Sequence, residues 1–379
     1  MTLLTYFNDR AGLRFWGPAL PLLALLFAGC DPGDDNDSQN FDRGAYLAHT
    51  ADNLIVPAYT DFLERSENLS VTLSGLTVGT VDSNDIDAAR EALHEAYMSW
   101  QRVQLFDFGP AINRALLVTT NTFPTDTIEI AEASLAPSWT GGLSSNLNSS
   151  GLPALEWLLF SDDAATTATE WNDEANGRLN HAKRLASFLT EEANAVLTVW
   201  TSEYRDAFVS STGTEAGSST GELLNAFNRV YEGIIRKGKL GLPNGIMTFS
   251  QTPQPDLVEA PFAAEWSVDF LAESLKACTH VYYGDDNNGT TDAIGLDDYL
   301  KSLGDVTYGE GLHDDITAQL TSTATAIASL EDPLASFVVE QQAASFEVYA
   351  ELQALVVLWK VDMMSSLGVL ITYQDNDGD

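Results

Sequence analysis

NDEANGRLNHAKRLASFLTEEANAVLTVWTSEYRDAFV, from Asn172 to Val209, decides the fold class. Ala182, Leu185, Phe188, Leu189, Val196, Leu197, Trp200, Tyr204 and Phe208 recur at steps of three and four and form one apolar stripe, with Arg184, Glu191 and Glu203 off it. That period predicts a helix of about ten turns with one buried face. The same spacing recurs over approximately 46–67, with Pro57 as a kink, and over 85–106, 221–239, 261–282, 311–329 and 333–367. Few stretches alternate with period two, so the chain is expected to be all-α.

Connections are short, polar or rich in glycine. The Pro-rich stretch 251–261, after the turn Gly241-Leu-Pro-Asn-Gly245, is read as a domain boundary. It divides the chain into a first helical bundle over 41–250 and a second over 251–379, packed as up-and-down bundles; one continuous bundle sharing its long helix is the alternative.

Of 379 residues, 45% are hydrophobic and 19% charged, enough apolar material for a sizeable core. Acidic residues number 55 against 18 basic, giving a net charge of −37, and they are spread along the whole chain. Nucleic acid is excluded as a partner on that balance. Two cysteines allow no disulfide framework, zinc finger or CxxC redox site. HExxH, GxSxG and Gly-rich phosphate loops are absent.

Arg10 and Arg14 precede an apolar run from Phe15 to Ala28 that is too short for a permanent membrane span, and the run ends Phe27-Ala28-Gly29-Cys30. This resembles a bacterial lipobox. Residues 1–29 are expected to be a lipoprotein signal peptide and Cys30 the acylated residue that anchors the protein to the bilayer, with an ordinary cleaved signal as the alternative. Cleavage removes Asp9, Arg10 and Arg14 and leaves 16 basic against 54 acidic side chains, with 30–40 as an acidic tether. The address is then the bacterial cell envelope, facing the periplasm. Cys278 is left as a buried, inert thiol.

Chemistry is sparser. In Gly151-Leu-Pro-Ala-Leu-Glu156-Trp-Leu-Leu-Phe160 a helix opens with Pro153 in its first turn, where a missing N–H costs little, and Glu156 falls on or beside its apolar face. A carboxylate there needs a partner: it is a ligand for metal or substrate, or half of a buried ion pair. Trp100-Gln-Arg102-Val-Gln-Leu-Phe-Asp107 places Asp107 at a helix C-terminus, against the dipole, where it holds a cation, pairs with a base or is simply solvated.

Arg229, Arg236, Lys237 and Lys239 gather four positive charges within eleven residues. With Glu232 between them, Arg229 and Arg236 form a ready salt-bridge ladder. Lys237 and Lys239 remain to complement Glu156 and Asp107, to bind an anion or to satisfy the helix C-terminus. Two acid-rich loops, 285–292 and 375–379, offer oxygens at alternate positions suited to calcium, but neither completes an EF-hand.

Gly151-Leu-Pro153-Ala-Leu-Glu156 resembles the GxHxxE motif of imelysin-like proteins, here with Pro153 at the histidine position. The lipobox, the 100–110 segment, Tyr231-Glu232 through Pro243, Val281-Tyr-Tyr-Gly284 and the Asp-Asn-Asp-Gly-Asp ending carry the likeness across most of the chain. The resemblance implies two helical bundles related by duplication with the motif near their junction, and roles in iron uptake, with peptidase and polysaccharide-binding roles among relatives.

Proline offers no lone pair, so the protease activity for which the family is named is not carried over. The expected site is instead an oxygen-rich one, with Glu156, Asp107 and Glu273 as ligands for iron or another hard cation. Gly151, Pro153, Trp100, Arg102, Arg236 and Lys237 are expected around the ligand. The leading expectation is an envelope lipoprotein that binds an iron-bearing species between helical domains and passes it to envelope transport components. The alternatives are a structural or partner-docking protein with a buried charge network, and a divergent metallopeptidase using His94 or His280.

Overall fold

The computed structural model describes residues 41–285 and 293–373. Among them every regular element is helical, as the periodicity predicts. The signal peptide, Cys30, the acidic tether and nearly all of both acid-rich loops lie outside the described residues.

Helix α1 runs over residues 43–75 and α2 over Ser83–Val103. The kink expected at Pro57 takes the form of a widened π turn, Thr50–Ile55, just before it. Proline has no N–H for the ladder, and the wider turn absorbs the mismatch. Helix α3 is Gly151–Phe160, α4 covers residues 178–210 through a second π turn at Trp200–Tyr204, and α5 covers residues 219–241. Then follow α6, Ser267–Tyr283, α7, Gly311–Ile327, and α8, residues 342–366.

The helix expected from Asn172 starts instead at Arg178, because Gly177 breaks the chain in a left-handed conformation (φ 66°). Its backbone there touches Ser134, where a Cβ would lie 2.1 Å from the carbonyl oxygen. Only glycine fits such a bend without strain.

Helices α1–α4 pack on one another, as do α5–α8, and α2 lies against α6. The described residues form one compact body, in which α5 packs on α6 and α8 across the sequence position expected to divide two bundles. A continuous apolar core, with Trp100, Trp171, Trp200 and Trp359 fully buried, fills both sets. Among the described residues no helix is long and apolar enough to cross a membrane.

Candidate functional site

Helix α3 is buried on nearly all sides, with Gly151 through Glu156, Leu158 and Leu159 all inaccessible. Its start is held against residues 119–120 by Gly151 (φ 69°), where a Cβ would lie 2.1 Å from the carbonyl oxygen of Thr120. Glu156, 0% exposed, therefore points into protein. Its Oε1 accepts from the backbone N–H groups of Phe262 (2.6 Å) and Ala263 (2.8 Å), while Oε2 is buried without a hydrogen-bond partner. Burial lifts this carboxyl to about 8; the two N–H bonds pull the other way, and neighbouring Glu259 adds to the rise.

Glu259 is the second acid of the junction. It precedes Ala260, a non-glycine residue held at φ 56°, and the Ser267 hydroxyl donates to the Glu259 carbonyl (2.5 Å), so the turn that presents it is fixed from both ends. Asn121 Nδ2 (2.7 Å) and Gln101 Nε2 (3.3 Å) donate to its Oε1, and Lys239 Nζ donates to Oε2. Lys239 also donates to Gln101 Oε1 (2.9 Å), an oxygen that accepts from Gln104 Nε2 (2.7 Å) and Ser274 Oγ (3.0 Å) as well. Tyr97 closes the group by donating to Asn121 Oδ1 (2.9 Å), and burial, then Glu259 and Glu156, push its phenol well above the ordinary range. Both Lys239 and Glu259 are 1% exposed, and burial pulls the lysine down.

The other expected acids are engaged separately. Asp107 accepts from Arg229 Nη2 (2.8 Å), which binds its carbonyl oxygen too. Glu273 pairs with Arg102 Nε (2.5 Å), and Arg102 also holds Asp61 (3.0 Å), tying α1, α2 and α6 together. The expected ligands Glu156, Asp107 and Glu273 are not grouped: Asp107 pairs with Arg229, Glu273 with Arg102, and Glu156 engages backbone N–H groups through Oε1 alone. Among the described residues no three His, Cys, Asp or Glu side chains are grouped to hold a metal.

Trp100 is a core residue packed on Phe62 (5.2 Å between ring centres). Arg236 is buried against Tyr349 (2.9 Å), Gln353 and Glu232 (3.6 Å), and Lys237 is half-buried one residue on. The expected ladder from Arg229 through Glu232 to Arg236 is only half formed. The residues after Arg229 follow wider π turns over Tyr231–Gly241, and Arg229 reaches Asp107 instead. His94 packs against Trp266 with the rings tilted (4.8 Å between centres) and stacks on Phe270 (6.0 Å).

Gln101, Asn121 and Glu259 were not singled out from sequence. The available signal was an acid inside the apolar run Val258-Glu-Ala-Pro-Phe262, set in a stretch read as a linker.

Residues 55–360 match the profile of the imelysin family, Peptidase_M75. The chain belongs to the imelysin family. Iron-regulated protein A of Synechococcus elongatus is 25% identical over 302 residues, covering 74% of this chain and 77% of the relative. An imelysin-like protein from Psychrobacter arcticum 273-4 superposes with a TM-score of 0.65 at 17% identity, over 87% of this chain and 97% of that one. A second solved structure, from Parabacteroides distasonis ATCC 8503, gives 0.67 at 17% identity, over 86% and 95%. Both share the fold. The matched span includes Gly151, Pro153, Glu156 and Glu259.

Proposed function

We propose that this imelysin is a lipid-anchored envelope protein that binds an iron-bearing or other hard cationic species at the junction of Glu156 and Glu259. One observation carries the reading: a fully buried carboxylate oxygen, Glu156 Oε2, has no partner. Such an atom costs free energy unless a proton or a cation meets it. The donors nearby are carboxylate and amide oxygens, a set that suits a hard cation rather than zinc. The name of the Synechococcus relative, iron-regulated protein A, supports iron as the first cargo to test. A surplus of 37 negative charges draws cations toward the protein. With Pro153 in the motif, a three-ligand zinc peptidase centre is not the reading the side chains favour.

The test is metal analysis of purified protein after incubation with ferric citrate, beside Glu156→Gln. Stoichiometric iron in the wild type and its loss in the variant support the reading; an iron-free wild type overturns it. The second reading, a purely structural network, is favoured by the complete pairing of Glu259, and it predicts altered stability without any change in metal content. For the address, Cys30→Ser is expected to move the protein from the membrane fraction to the soluble one; unchanged fractionation would refute the lipid anchor.

A further inference from the structure

An apolar surface lies open where α8 stops. Tyr308 (61% exposed), Val357, Val361, Leu370 (63%) and Ile371 all face solvent there. Val361 and Tyr308 share an open recess of about 360 Å³ with Asp362, Ser365 and Ser366. Leu370 is held in place rather than frayed: Asn225 on α5 donates to its carbonyl (2.9 Å) and accepts from the Thr372 N–H (2.7 Å), while Gly368 and Val369 donate back to Ser365 and Met364 on α8. Apolar side chains fixed in solvent mark a contact surface. Residues 31–40 and 374–379 contain no Leu, Ile, Val, Met or aromatic residue, so neither flanking stretch has side chains to cover it.

The described chain begins at this same end. Phe41 stacks on Tyr299 (4.4 Å), whose helix, Leu296–Ser302, packs on the turn Val306–Glu310 that carries Tyr308. A Cβ on Gly44 would lie 3.9 Å from Thr212, and one on Gly368 would lie 3.9 Å from Thr214, so the root of α1 and the turn before Leu370 border one segment. Residues 30–40, even fully extended, reach at most about 40 Å. An anchor at Cys30 therefore keeps this end beside the bilayer, while α1 carries the chain away from it.

We propose that this apolar end is a bilayer-docking surface, on which the membrane that holds Cys30 receives Tyr308, Val361, Leu370 and Ile371. The inference rests on the lipid anchor of the proposed function and not on its cargo. A few side chains bind lipid weakly, but a short tether raises their local concentration to about the millimolar level, enough to populate the contact. Tyr308 suits the headgroup level, where an apolar ring and a hydroxyl are both accommodated. Asp305, Glu310 and Asp362 border the patch. The surface therefore fits a zwitterionic leaflet and is repelled by an anionic one, and salt relieves that repulsion.

The experiment couples the Cys30 thiol of the chain from residue 30 onward to maleimide-bearing phosphatidylethanolamine in phosphatidylcholine vesicles; Cys278 is buried and stays unlabelled. Amide hydrogen exchange over 306–310 and 365–372 should slow at least about threefold relative to the uncoupled chain. Exchange around Val71, 69% exposed and about 40 Å along α1, should not change. Val361→Asp with Leu370→Asp, both at exposed positions, should abolish the slowing and keep the helical circular dichroism. Phosphatidylglycerol should weaken it at low salt. Equal exchange in coupled and uncoupled chains overturns the proposal, as does slowing that survives the double variant or grows with phosphatidylglycerol. The same slowing in the uncoupled chain at rising concentration would assign the patch to a second copy and also overturn it. Because the coupling is chemical, fractionation of Cys30→Ser decides the anchor separately: docking without acylation in the cell sinks the anchor alone, and acylation without slowing sinks the docking surface alone.

Discussion

Glu156 sets the chemistry at the scale of a single residue, because its carboxyl sits near 8 in the fold against 4.5 in the open chain. The folded protein therefore holds a proton there that the unfolded chain releases. This contribution to stability is fully present below pH 4.5 and is lost as the pH rises toward 8. Glu156→Gln, which mimics the protonated acid, should flatten that limb. The difference between wild type and variant in urea unfolding with chelator should shift by on the order of 5 kcal/mol between pH 4.5 and 8.5. A pH-independent difference would mean that the carboxyl is not desolvated. Gly151 is as constrained sterically. At φ 69°, with the Thr120 backbone 2.1 Å from any added Cβ, Gly151→Ala should cost about 3 kcal/mol or more in urea unfolding. A loss below about 1 kcal/mol would show that residues 119–120 can yield.

Helices bring these residues together by departing locally from α geometry. The π turns at Thr50–Ile55, Trp200–Tyr204 and Tyr231–Gly241 each re-aim the side chains that follow. In α5 that change of pitch lets Arg229 serve Asp107 while Arg236 and Lys239 face inward on later turns. Arg229→Met leaves Asp107, 5% exposed, without its counter-ion, and should cost about 2 to 3 kcal/mol. Adding Asp107→Asn should recover part of that loss in a double-mutant cycle, whereas strict additivity would show that the pair is not coupled.

Charge is the property that belongs to the whole molecule. With 55 acidic and 18 basic residues the fold works against its own repulsion at long range. Raising salt from about 10 mM to about 1 M shortens the screening length from about 30 Å to about 3 Å. The thermal midpoint should therefore rise with sodium chloride; a fall would show that local ion pairs such as Arg114 with Glu192 outweigh the net charge. Cargo uptake should weaken over the same range if the acidic field concentrates the cation, which metal binding at two ionic strengths would measure.

Helical class and the burial of Glu156 were legible because both rest on spacing along one segment: i, i+3 and i+4 place residues on one face whatever lies opposite. The stripe from Ala182 to Phe208 and the apolar surroundings of Glu156 in Gly151–Phe160 are of this kind. The network around Glu259 was not legible. Gln101, Asn121, Lys239 and Glu259 come from segments up to 158 residues apart, and Glu259 lies in an irregular stretch with no period to read. The pairing of Asp107 and Glu273 with separate arginines was likewise a matter of packing. Local repulsion and periodicity determined an acidic helical chain; only the meeting of distant helices decided which charges neutralise one another and which oxygen is left without a partner.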